Sequence, residues 1–242
     1  MKLFFIGGGN IARIVLKELG SYVDNCWYYD KVETGLECKY LSSFYIPSDC
    51  DVVVECASIE AVREFGLEVL ESGKDLYVMS SGAFADEEFF KRFSEKLSTS
   101  KSNVYIPSGA IGGLDIIYAI RNYINSVKIT TRKPPKAFGL EEVSAQRTIF
   151  YGKVVDAIKQ FPQNANVSIT LSLAVGDFEK VFVEIVADPK IEENIHEINI
   201  SSSVGEYTII HKNKPSPNPK TSYLAPLSLV AELKKRFEKL KI

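Results

Sequence analysis

Three groups of residues have the types and spacing to do chemistry. In Gly7-Gly8-Gly9-Asn10-Ile11-Ala12 the pattern is G-x-G-x-x-A. Gly7 makes a tight turn, Gly9 lets the backbone reach a pyrophosphate, and Ala12 keeps a helix close to its strand. Asp30 follows at about the 20-residue spacing of a carboxylate that accepts from a ribose 2′-OH. The second group is Ile106 to Asp115, IPSGAIGGLD. Gly109, Gly112 and Gly113 let the backbone approach an anionic or carbonyl ligand, or else serve only a tight turn between domains. The third is His196, one of two histidines, in Asn194-Ile195-His196-Glu197-Ile198-Asn199-Ile200. Strand alternation puts Asn194, His196, Ile198 and Ile200 on one face. His196 is either a structural imidazole or a proton-transfer group, for which its unperturbed pKa of about 6.5 is well suited.

These groups need elements to hold them. The apolar run 3–6 reads as a strand, and Ile11, Ile14, Val15 and Leu19 follow at helical spacing. A second strand, 26–29, ends at Asp30, and 51–56 (DVVVEC) has the unbroken apolar character of a strand buried on both faces. Helices over 61–70 and 86–97 alternate with strands over 76–79 and 104–106. Right-handed crossovers then give a doubly wound parallel sheet with its crevice at the carboxyl ends of the strands. Ala57 and Ser58 lie at one such end. Ser80, Ser81 and Gly82 lie at another, either touching cofactor or forming only a loop.

After a helix over 114–124 the pattern becomes β-rich, with strands expected at 127–131, 148–151, 181–187, 195–201 and 207–211 and a helix at 154–161. Asn164 and Asn166 then offer either helix caps or amide contacts to a cofactor. Lys214 to Lys220 (KPSPNPK) reads as an extended linker, after which Thr221 or Ser222 caps a last helix. Its apolar stripe, Leu224, Leu227, Val230, Leu233, Phe237 and Leu240, is core packing. The expected fold is α/β: a Rossmann-type doubly wound sheet (1–107), a second α+β catalytic domain (108–218), and a C-terminal helix (219–242) returning to the first domain.

With 242 residues, 45% hydrophobic, the chain can bury a large core. A net charge of −2 offers no basic field, so neither nucleic acid nor an anionic membrane is an expected partner. No apolar run is long enough to span a bilayer and no signal peptide is legible, so the expected location is the cytoplasm. Cys26, Cys38, Cys50 and Cys56 form no C-x-x-C pair and read as reduced, mostly packed thiols. Two histidines are too few for a multi-histidine site, and no metal is expected. His211, beside Lys212 and Lys214, reads as solvated.

The motifs Ile106 to Asp115, Phe161-Pro162-x-Asn164-x-Asn166-Val167, Ala187-Asp188-Pro189, Asn194-x-His196 and Asn218-Pro219-Lys220-Thr221-Ser222 occur in this order along the whole chain. In them the sequence resembles the L-aspartate dehydrogenase family. The resemblance implies oxidation of L-aspartate to iminoaspartate with NAD or NADP, feeding NAD biosynthesis, or the reverse amination of oxaloacetate. It assigns the active-site histidine to His196 and cofactor contacts to Ala110 and Asn166, and with the strand edges of the second domain it suggests a homodimer.

Cofactor contacts are thus expected at Gly7, Gly9, Asn10, Ile11, Asp30, Ala57, Ser58, Ser81, Ala110 and Asn166. A dicarboxylic amino acid needs cations or N–H donors, for which Lys133, Lys136, Thr221, Ser222 and the amides of Gly112 and Gly113 are candidates. NAD is the expected cofactor because the Asp30 carboxylate repels a 2′-phosphate; neighbouring Lys31 leaves NADP possible. Two alternatives stand beside this reading. One is a related two-domain reductase of another small dicarboxylate, although the paired histidines of dihydrodipicolinate reductases are missing. The other is a non-catalytic NAD-binding sensor, which would not need His196.

Overall fold

Lys2–Ile6 forms β1, whose last four residues are fully buried, as a strand covered on both faces requires. In the computed structural model, which describes residues 1–140, 143–161, 165–216 and 222–240, β1 lies at the centre of a six-stranded parallel sheet. The other strands are β2 (Asn25–Tyr29), β3 (Lys39–Leu41), β4 (Val52–Glu55), β5 (Asp75–Val78) and β6 (Val104–Tyr105), in the order β3-β2-β1-β4-β5-β6. Leu3 is in register with Cys26 on one side and Val52 on the other. The strand order therefore reverses between β1 and β4, where a doubly wound sheet opens its ligand crevice.

Helices α1 (Asn10–Leu19), α2 (Ile59–Ser72) and α3 (Glu87–Thr99) connect the strands. Ala12, Ile14, Val15 and Leu19 are the buried residues of α1. Ser58 caps α2 by accepting from the Ala61 amide at 3.2 Å, and left-handed Gly73 closes it. Asp86 caps α3 through the Phe89 amide, with Glu87 and Glu88 in the first turn where the helix dipole favours them.

The sheet and these helices belong to one compact unit, Met1–Pro107 with Pro226–Ile242; Ser108–Ala225 form a second. Leu229, Val230 and Leu233 of α7 (Leu224–Lys234) pack in the first unit's core with Leu3, Val15, Leu19 and Val54. The helix stops at Lys234, short of the apolar stripe read from the sequence. Arg236 and Phe237 bond back only three residues, Arg236 pairs with Asp75 at 2.6 Å, and Phe237 and Leu240 are exposed. The cysteine reading also needs correction, because Cys26 and Cys38 form a disulfide. Trp27 of β2 is in register with Lys39 of β3, so the preceding residues are cross-strand neighbours whose Cα atoms lie 5.0 Å apart.

The second unit contains α4 (Leu114–Ile120), β7 (Ile124–Lys133), β8 (Arg147–Lys153), α5 (Val154–Gln160), α6 (Ala165–Val175), β9 (Val181–Ala187), β10 (Asn194–Ser202) and β11 (Gly205–Asn213). The sheet order is β11-β10-β7-β9-β8, with β7 and β9 parallel and the other neighbours antiparallel. Its two faces differ in chemistry. Val127, Ile129, Val181, Val183, Ile185, Ile198 and Ile200 make one face a buried core. On the other, Lys128 pairs with Glu184 at 3.0 Å and Arg132 with Glu197 at 2.7 Å.

Candidate active site

In the first unit the chemistry gathers at the carboxyl ends of β1, β2, β4 and β5. Gly7 has φ +103°, and a Cβ there would come within 2.9 Å of the Ala57 backbone, so the turn after β1 rests directly on the end of β4. By contrast, apart from Gly9 itself and its chain neighbours, no described residue comes within 4 Å of where a Gly9 Cβ would be. Gly9 precedes α1 without capping it by a side chain, which leaves the helix N-terminus at Asn10 and Ile11 suited to a pyrophosphate. Asp30 accepts from the Gly8 amide at 2.8 Å and from the Lys31 amide at 2.7 Å. A carboxylate oxygen can accept more than one bond, so a ribose hydroxyl still fits. These features match a dinucleotide. Ala57 is exposed and Ser58 half-buried, whereas Ser81 is buried within the short helix Ser81–Ala85.

The second unit gathers its polar groups at one end of its buried sheet face. Thr131, His196 and His211 stand in register across β7, β10 and β11, and Asn194 pairs with Asn213 beside them. Thr131 Oγ1 lies 3.0 Å from His196 Nδ1. Burial, followed by the charges of Lys133 and His211, pushes the His196 pKa down to about 3, so its imidazole is neutral at pH 7 rather than poised there. Lys133 is itself buried, which lowers its pKa to about 8. Both effects mark a site where burial makes positive charge costly.

His211 is half-buried rather than solvated, and its Nε2 accepts from the Gly112 amide at 2.8 Å. Gly112 is therefore already engaged. Gly113 has φ +76°, and a Cβ there would meet Ile209 at 2.5 Å, so this glycine serves close packing of its loop on β11. The Ala110 carbonyl accepts from Asn213 at 2.8 Å, which fixes the same loop. Burial is the largest influence on the His211 pKa and lowers it. Two buried donors, Asn194 Nδ2 and His211 Nδ1, have no hydrogen-bond partner among the described residues.

Other expected contacts are dispersed. Asn166 is half-buried in the first turn of α6, and Ser222 is buried where it bridges to Pro215. Lys136 is exposed, lining a surface depression with Pro134, Pro135 and Pro189 rather than joining Lys133. Asn164 and Thr221 lie outside the described residues. Among those residues no group of three or more His, Cys, Asp or Glu side chains could hold a metal, and no helix is long and apolar enough to cross a membrane. Thr131 and Glu55 went unsingled in the sequence. Thr131 became visible only through register, but a lone carboxylate in the valine run of β4 was itself a signal.

Residues 29–107 match the family model described as homoserine dehydrogenase, NAD binding domain. The WlbA dehydrogenase from Bordetella pertussis, solved in complex with NADH and UDP-GlcNAcA, shares the fold at TM-score 0.55 and 10% identity, over 99% of this chain and 89% of that one. Fold and family match thus define the class: a chain with an NAD-binding domain built on a Rossmann-type sheet. Residues 115–236 match the model described as aspartate dehydrogenase, C-terminal. The L-aspartate dehydrogenase of Thermotoga sp. strain RQ2 is 44% identical over 236 residues, 97% of this chain and 96% of that protein. That of Archaeoglobus fulgidus is 38% identical over 242 residues, with 97% of each covered. The crystal structure of aspartate dehydrogenase from Thermotoga maritima superposes with TM-score 0.91 at 39% identity, over 100% of this chain and 99% of that one. The chain belongs to the L-aspartate dehydrogenase family.

Proposed function

We propose that the protein oxidises L-aspartate to iminoaspartate with NAD, accepting NADP less well, or aminates oxaloacetate in reverse, and that it supplies NAD biosynthesis. The observation that carries this reading is the row formed by buried Thr131 and His196 and half-buried His211, with Lys133 and Asn194 on the same face. An amino acid with two carboxylates matches a site that holds a buried ammonium and two N–H donors unsatisfied among the described residues. When bound, the nicotinamide supplies the hydride acceptor. Lys133 and Asn194 hold the substrate carboxylates, which offset the lysine charge and raise the proton affinity of His196. His196 then takes the proton from the substrate amine as hydride leaves Cα. Asn10 and Ile11 amides hold the pyrophosphate, and Asp30 the adenosine ribose.

NADH formation across a panel of amino acids, with NAD and NADP compared, tests the reading. Turnover confined to aspartate supports it; turnover only with another substrate, or none with any, overturns it. We also assign a homodimer through the charged face of the second sheet, where Tyr151 and Ile210 are exposed beside Glu184 and Glu197. Light scattering of wild type and Ile210→Asp tests it, with a monomeric wild type as the adverse result. The cytoplasm is the assigned location. Disulfides are uncommon there, so a count of free thiols in rapidly quenched cells tests that assignment against Cys26–Cys38.

A further inference from the structure

Glu55 ends β4 and is 1% exposed, yet its side chain is heavily used. Its Oε1 accepts from the amides of Ala57 at 2.8 Å and Ser58 at 3.0 Å and from the Ser80 hydroxyl at 2.9 Å; its Oε2 accepts from the Ser80 amide at 2.9 Å. Four donors and no acceptor converge on one carboxylate. They come from two loops, one after β4 and one after β5, on neighbouring strands. Burial pushes the carboxyl pKa up to about 7, while all four donors pull it down. A buried carboxyl satisfied this fully is a brace between those loops.

The location gives the brace a function. A doubly wound sheet binds a dinucleotide across two mononucleotide halves. The β1–β2 half carries Gly7, Gly9 and Asp30, so the β4–β5 half receives the nicotinamide mononucleotide. Resting on the dinucleotide reading above, we infer that Glu55 is a positioning residue for the nicotinamide half of the cofactor, holding Ala57, Ser58 and Ser80 in the shape that receives it. Gly7 leans on the Ala57 backbone, but the pyrophosphate turn has its own hold, the Gly7 amide donating to the Tyr29 carbonyl at 2.8 Å. Gln cannot replace Glu here, because its amide nitrogen would face the Ser80 N–H, donor to donor.

The test compares two ligands on the intact chain. NAD carries the nicotinamide, whereas ADP-ribose has the adenosine half, both phosphates and the second ribose but no nicotinamide. Affinities for each, the KM for NAD and kcat are measured in wild type, Glu55→Gln and Ser80→Ala, with the melting temperature of each. Glu55→Gln should weaken NAD binding about tenfold or more while ADP-ribose binding changes less than about twofold. Ser80→Ala removes one of the four donors and should shift the ratio in the same direction by a smaller factor, which keeps the inference testable if Glu55→Gln fails to fold. Parallel weakening of both ligands, or an unchanged ratio in a folded variant, would overturn it. A wild type that binds neither ligand would overturn the dinucleotide reading first, and the brace with it.

Discussion

Two buried titratable sites, one in each unit, solve the same problem in opposite ways. Glu55 lies at the end of a parallel strand and is matched by four donors from its own unit. His196 lies in an antiparallel pair with one hydroxyl at 3.0 Å, and the charges of Lys133 and His211 push its pKa down further. The first site is complete without a ligand. The second keeps two buried N–H donors, Asn194 Nδ2 and His211 Nδ1, without a partner among the described residues. A site finished by its own backbone shapes a surface, whereas one left with unsatisfied donors is arranged for what arrives.

The two sites should respond to acid with opposite signs, and this is the largest expected effect. Folding keeps His196 neutral to about pH 3, whereas unfolded histidine takes its proton near 6.5. Its stabilising contribution is therefore present above pH 6.5 and lost as pH falls below it. Glu55, raised to about 7, binds its proton more readily folded than unfolded, so between pH 7 and about 4.5 its contribution improves as pH falls. Lys133 changes only between its folded value of about 8 and its unfolded one near 10.5. Denaturant unfolding of wild type and His196→Gln from pH 7.5 to 4 cancels the last two terms. Relative to the variant, wild type should lose about 3 kcal/mol by pH 4, and a pH-independent difference would remove the buried neutral imidazole.

Next in size is catalysis. His196→Ala should lower turnover by roughly 10²-fold or more while NAD binding survives. Near-normal activity per folded molecule with a depressed melting temperature would make His196 structural. Lys133→Met sharpens the same point: it should raise the KM for aspartate roughly 10- to 100-fold, as expected for losing a hydrogen bond to charge. It should also move the His196 pKa upward, since Lys133 pushes it down, and an NMR titration of the imidazole reads that directly. An unmoved pKa would break the coupling between the two residues.

What the sequence disclosed follows the same division. Gly7, Gly9 and Asp30 were legible because a turn, a helix start and a strand end are local, and 181–187 was read with the bounds of β9 because its apolar run ends sharply at Asp188 and Pro189. The three-residue edge strand β3 was not legible, since it lacks an apolar run and exists by pairing with β2. With it went the proximity of Cys26 and Cys38. His211 was misread because its lysine neighbours suggest solvent, whereas register with His196 decides its surroundings. The pKa of His196 was equally out of reach, because Lys133, which helps set it, lies on another strand far along the chain.

The smallest effect concerns cofactor choice, where a site of the first kind must also act on a ligand. Asp30 already accepts two backbone amides, so unlike His196 it is largely satisfied by its own unit. Its remaining acceptor capacity can take a ribose 2′-OH, and its charge opposes a 2′-phosphate. Wild type should therefore bind NAD more tightly than NADP. Asp30→Ala should cut that preference by about tenfold, the loss of one charge-assisted hydrogen bond. Lys31, whose amide bonds to Asp30, works in the other direction by offering a cation to the phosphate. Lys31→Ala should accordingly sharpen the preference for NAD. Titration of both cofactors into the three proteins decides it. Equal affinities in wild type, unchanged by either substitution, would mean that Asp30 serves only the Gly8 turn, and that the first unit is closed to the ribose as firmly as Glu55 is closed to solvent.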